Sequence, residues 1–257
     1  MSVAQYRALL RVTVEKRVHL FRRYLFDSVF GVISLFILFA LALFGGQQVA
    51  PTVIDGSKGG LVVGFFVWTM AVAAYNDISQ QIETEAEWGT LEQLSMSPFG
   101  IGTVVFLNSI VYVVGSLISG VLTLVLMLAV ADVPLSIPLG VVPIGILAVF
   151  PVIGLGLLLG GLTLIYKRVQ AISGIIQLGF VAFIAFPLNA HPLVAAIPLT
   201  LETRLLEKTM KAGSLTAVQS EMLVVLVVKS LGFLVVGFGA FYLLQRESRR
   251  RGVLGQY

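Results

Sequence analysis

From Gly59 to Tyr166 the chain carries no lysine or arginine, and its acidic residues there are Asp77, Glu83, Glu85, Glu87, Glu92 and Asp132. Apolar runs of that length have few folding solutions. Crossing the ~30 Å of a bilayer's hydrocarbon takes about 20 largely apolar residues per helix. A water-soluble core built from 257 residues cannot hide a chain that is 58% hydrophobic and only 12% charged. A transmembrane barrel would alternate over segments of about 10 residues, whereas these runs are continuous and rich in Leu, Val, Ile and Gly. The expected fold class is an all-α integral membrane protein forming a single transmembrane domain over the whole chain. Six spans are predicted, over Ser28 to Phe44, Gly59 to Tyr75, Phe99 to Ala131, Ile137 to Tyr166, Val169 to Phe186 and Met222 to Gln245.

The basic residues predict the orientation. Arg7, Arg11, Lys16, Arg17, Arg22 and Arg23 precede the first span, Lys167 and Arg168 separate the fourth from the fifth, and Arg246, Arg249, Arg250 and Arg251 follow the sixth. With six spans all of them share one side, which the positive-inside rule makes cytoplasmic. The expectation is a multi-pass protein of the cell membrane with both termini inside. Charge at membrane edges also accounts for the net +4 without invoking nucleic acid. The 27-residue leader is longer than the charged region of a cleaved signal, so the first span is expected to be retained. Within the leader, Val3, Leu10, Val14, Val18, Phe21 and Leu25 recur at helical spacing, with Arg7, Arg11, Glu15 and Arg22 opposite. That is an amphipathic helix lying on the inner membrane surface, either as an anchor on anionic lipid or in contact with a partner.

Other segments carry weaker signals. Gly45 to Lys58 reads as a short polar outer loop, and Asp132-Val-Pro134 as a tight outer turn. The fourth span is rich in Pro and Gly, and Gly156 with Gly160 offers a small-residue face for close helix packing, within the chain or with a second copy. Residues 187–221 are expected to form an outer re-entrant or interfacial segment. Leu201, Leu205, Leu206 and Met210 make its apolar stripe, with Glu202, Glu207, Lys208 and Lys211 on the polar side. Gly213 should end that helix, and Thr216 with Gln219 should box the start of the sixth span. Lys229 falls inside that span, where a charge is a candidate for the substrate path, the plainer alternative being a side chain that snorkels outward. Residues 246–257 are expected to be a cytoplasmic tail.

The segment Asn76 to Pro98 holds five of the thirteen carboxylates and no base. Ile78 to Glu87 can be helical, Gly89 interrupts, and Thr90 stands three residues before Gln93 in a capping-box pattern that opens a short helix with Leu91 and Leu94 on its apolar side. Ser97-Pro98 then closes that helix and opens the next span. A plain solvated acidic loop is the alternative.

The pattern Ile82-Glu-x-Glu-x-Glu-x-Gly89-Thr90-Leu91-Glu92-Gln93-Leu94-x-x-Ser97-Pro98 resembles the signature of the permease subunits of type-two ATP-binding-cassette transporters. The resemblance extends over most of the chain: amphipathic helix, six spans, both termini inside, and outer re-entrant helices between spans five and six. It implies that Glu83, Glu85 and Glu87 lie on a gate helix near an ATPase, with Gly89 at a corner. It likewise puts Thr90, Leu91, Glu92, Gln93 and Leu94 on a coupling helix seated in that ATPase, and Pro98 at the start of span three. The implied partners are two copies of a cytoplasmic ATPase, which would hold the ATP and Mg, and a second permease copy or a paralogue. No cofactor is implied for this chain.

No G-x-x-x-x-G-K-[ST] loop is present, so any ATP hydrolysis is expected in a separate subunit rather than here. With two histidines, His19 and His191, predicted on opposite faces, and no cysteine, neither a metal site nor a catalytic constellation is expected. The expected function is that of an ATP-driven permease, working as an exporter. The rivals are a secondary transporter or channel driven by an ion gradient, and a membrane-embedded enzyme. Substrate identity does not follow from these residues.

Overall fold

The computed structural model describes residues 3–23, 25–87, 96, 98–166, 170–187 and 192–251. All regular structure among them is helical. Helix α1 (Val3–Arg23) is the amphipathic leader, and α2 (Leu25–Ala40) continues through a π-helical turn at Leu41–Gly45 into Gly46–Val49. Then come α3 (Pro51–Glu87), α4 (Gly100–Ala131), α5 (Val141–Tyr166), α6 (Gln170–Ala185), α7 (Thr200–Ala212) and α8 (Ser220–Arg251).

Five helical segments are long and apolar enough to cross a membrane: Val29–Val49, Gly56–Glu85, Gly100–Ala131, Val141–Tyr166 and Ser220–Arg251. This is a multi-pass, all-helical membrane protein. Helix α6, the expected fifth span, has 16 residues, so at 1.5 Å per residue it measures roughly 24 Å, less than a full hydrocarbon thickness.

Helices α3 and α5 form the centre of the bundle. Gly156 and Gly160 of α5 lie directly against Tyr75, Ile78 and Ile82 of α3, and a Cβ at Gly160 would collide with Ile82. The small-residue face is thus used inside the chain. On the other side of α5, Gly154 meets Gly237 of α8 backbone to backbone, an approach that only two glycines permit. Edge-to-face rings, Phe39 on Phe65 at 5.4 Å and Tyr75 on Phe180 at 5.5 Å, seat α2 and α6 on α3. Many exposed side chains of α4 and α8, such as Ile118 and Val235, are aliphatic, as suits a lipid-facing surface.

Several expectations are corrected. The stretch Gly45 to Lys58 is not a loop: only Ala50 leaves the helical conformation, and Pro51, lacking an N–H to satisfy, starts α3 at once. Gly59 and Gly60 then let α3 pass close under Lys211 and Glu207 of α7. Thr216 does not box the last helix. It lies in a 3-10 turn over Leu215–Ala217 with its hydroxyl 2.9 Å from that of Ser214, and α8 begins at Ser220. At its other end α8 runs on to Arg251, so the start of the expected tail is helical, while residues 252–257 lie outside the described residues. Gly213, at φ 71, does end α7, and Asp132, at φ 48, caps α4 and turns the chain.

Candidate functional site

Two polar regions stand at opposite ends of α3. The first is built on residues 76–87, which continue the α3 helix without a break. At 37 residues α3 is roughly 55 Å long, far more than one crossing uses. The polar segment therefore rides on the same rod as the membrane-embedded part. Glu83 and Glu85, two residues apart, point to different sides. Glu85 accepts from Lys16 of α1 at 3.4 Å, while Glu83 lines a cavity. Glu87 ends the helix, its side chain lying outside the described residues, as do Gly89, Thr90, Leu91, Glu92, Gln93 and Leu94. Pro98 sits exposed in a turn two residues ahead of α4, whose first residue, Gly100, has φ 70.

Helix α1 is fastened to this region by charge. Arg17 donates to Asp77 Oδ2 at 2.6 Å and lies over the ring of Tyr112 at 5.3 Å, and the Tyr112 hydroxyl donates to Gln81 at 2.9 Å. A short charge-assisted hydrogen bond that is half sheltered contributes about 1.5–3 kcal/mol. The more exposed Lys16–Glu85 pair contributes about 1 kcal/mol at most. While its basic residues hold the bundle, Val14 and Val18 of α1 remain exposed, as a helix resting on a membrane surface requires. Arg17, Asp77 and Tyr112 were not among the site residues expected from sequence. The signal available was the helical spacing of Asp77, Gln81 and Glu85 along one face of α3.

The cavity beside Glu83 holds about 410 Å³. Helix α3 turns Asn76, Ser79, Gln80, Glu83 and Thr84 into it, at the spacing of one helical face. Facing them are Ser173 and Gln177 of α6 and Thr163 of α5. Gln177 bridges the helices, its amide donating to Asn76 Oδ1 at 3.0 Å and reaching the Ser173 hydroxyl at 3.4 Å.

At the other end of α3 lies Lys229. It is not a lone charge: its ammonium donates to Glu202 Oε2 at 2.7 Å and to the Ile197 carbonyl at 3.1 Å, with side-chain exposures of 7% for Lys229 and 0% for Glu202. Burial raises the Glu202 carboxyl above the usual carboxylate range, and the Lys229 ammonium pulls it back. Among the described residues nothing bonds to the second oxygen, Oε1. Sequence reasoning put Glu202 on the polar side of α7, yet it stands three and four residues before the buried Leu205 and Leu206, which places it within the apolar face. Further bonds secure this end of the bundle. Thr200 donates to the Phe183 carbonyl of α6 at 2.7 Å, and Ser136 binds the Met210 carbonyl through both its N–H and its hydroxyl. Leu199, at φ 67, is strained by roughly 1 kcal/mol or more at the entry to α7.

Among the described residues no group of three or more His, Asp or Glu could hold a metal ion. His19 is exposed on α1, and His191 lies outside the described residues. Compared with family models, with curated proteins and with solved structures, the chain finds no match.

Proposed function

We propose that this chain is the membrane permease subunit of an ATP-driven exporter of the type-two ATP-binding-cassette kind. It would have six spans, α6 completing the count with the residues that flank it, and both termini in the cytoplasm of a cell whose membrane it spans. The observation that carries the reading is α3 itself. One unbroken helix joins the membrane core to Glu83, Glu85 and Glu87, immediately before the Gly89-Thr90-Leu91-Glu92-Gln93-Leu94 run whose pattern resembles a coupling helix. A force applied at residues 90–94 would move α3 as a rigid body, because Gly156 and Gly160 seat it closely on α5. Helix α1 would follow through Arg17 and Asp77. The ATPase partner, in two copies, would hold ATP and Mg, and a second permease copy or paralogue would complete the pathway. In this reading the chain catalyses nothing itself.

The absence of cysteine makes the test direct. A single cysteine at Glu92 or Leu94, carrying a photo-cross-linker in native membranes, should capture a subunit that an azido-ATP probe also labels. Capture of no nucleotide-binding partner at either position would sink the proposal.

One observation favours a second reading, a carrier driven by an ion gradient. The buried Glu202–Lys229 pair is the kind of intramembrane ionisable couple such carriers use. Uptake into liposomes that contain the purified chain alone, driven by a proton or sodium gradient, would choose it over the ATP-driven reading.

A further inference from the structure

In helix α6 the polar side chains between Ala171 and Ala185 are Ser173 and Gln177, and both face the inner cavity. In α5, Thr163 and Tyr166 are the polar residues, and Thr163 faces it. A bilayer protein that spends its few polar side chains on one shared space, from three separate helices, has built that space for a polar ligand. Its volume of about 410 Å³ suits a headgroup or small molecule.

The lining also selects the ligand's charge. Glu83 is its one ionisable group, and among the described residues no cation lies within salt-bridge range of that carboxylate. The remaining groups are amides and hydroxyls, rich in acceptor oxygens. No aromatic ring is among them, whereas recognition of a quaternary ammonium relies on aromatic faces. A primary ammonium, with three N–H donors and one positive charge, matches a carboxylate surrounded by acceptors. At the rim, Gly174 faces open space, and the neighbouring Ile175 and Leu178 of α6 are exposed. These give an apolar strip for an attached alkyl chain.

We propose that this cavity binds the ammonium headgroup of an amphipathic primary amine, with Glu83 as counter-ion and Gln177 and Asn76 as orienting groups. The inference goes beyond the permease reading, because such binding needs no ATPase and is measured on the chain alone.

The test is a titration of the full chain in anionic-lipid nanodiscs with hexylamine, hexyltrimethylammonium and hexyl glucoside, followed by saturation-transfer NMR against empty nanodiscs. Hexylamine is expected to bind saturably, and the quaternary and glucoside probes at least about tenfold more weakly. Glu83→Gln should weaken hexylamine by about tenfold, and Gly174→Leu, which adds bulk only into open space, should block it. Gln177→Glu, adding a second carboxylate, should tighten it several-fold. Glu221→Gln, an exposed change at the far end of α8, should leave it unchanged. Signal equal to that of empty nanodiscs, equal affinity for the quaternary probe, or unaltered binding in Gly174→Leu would each overturn the proposal. None of these outcomes depends on whether cross-linking at Glu92 finds an ATPase.

Discussion

Two regions of the molecule each join a pair of helices through a base and a carboxylate, α7 to α8 in one and α1 to α3 in the other, yet in opposite electrostatic settings. In the first, Glu202 and Lys229 are sealed inside the protein, and the Lys229 ammonium also donates to the Ile197 carbonyl. In the second, Arg17 and Lys16 are partly open to solvent, while their partners Asp77 and Glu85 are mostly sheltered. Desolvation makes the first pair costly to form and far costlier to split, because either partner left alone is a buried, uncompensated charge. Pairs near water can open and reclose, since water solvates each partner. The Glu202–Lys229 pair is thus the harder to open, and the pairs on α1 the easier.

That contrast can be broken by substitution. The largest effect is expected from Lys229→Met, which strands Glu202 and should cost about 3–5 kcal/mol in a reversible unfolding titration in mixed detergent. Adding Glu202→Leu should recover most of it. Equal losses in the single and double variants would show that the two do not act as a pair. Arg17→Ala should cost about 1.5–3 kcal/mol locally, raising amide exchange of α1 by on the order of ten- to a hundredfold while exchange in α7 stays unchanged. Exchange rising equally in α7 would mean that the two regions are not mechanically distinct. Gly160→Val, which drives a branched side chain into Ile82, should cost about 1–3 kcal/mol by overpacking and loosen the C-terminal half of α3. The smallest change is expected from Lys16→Ala, less than about 1 kcal/mol and lost in high salt. A salt-independent effect there would place the Lys16–Glu85 pair in a drier setting than its exposure indicates.

Legibility differed in the same way between the regions. The polar face of residues 76–87 was visible because helical spacing is a local property, but its division between α1 and the cavity was not. Which side Glu83 or Glu85 meets depends on where α1 and α6 pack, and nothing within residues 76–87 encodes that. Glu202 misled because it stands beside Glu207, Lys208 and Lys211, which suggested a solvated face, although its own register was that of Leu205 and Leu206. The run Gly45 to Lys58 misled by propensity. Its Gly, Ser, Thr and Asp residues favour loops, and contact of Gly59 and Gly60 with α7 outweighed them.

What the amino-acid order determined alone was the solvent and the helical character of the long apolar runs: runs of spanning length leave helices in a bilayer as the only way to satisfy every backbone amide. Tertiary packing decided which charges meet. Glu202 and Lys229, Arg17 and Asp77, and Asn76 and Gln177 are each separated by tens of residues along the chain. Such pairs are set by where the helices pack, because an ionic or amide contact acts over a few ångströms and cannot be encoded by its own neighbours.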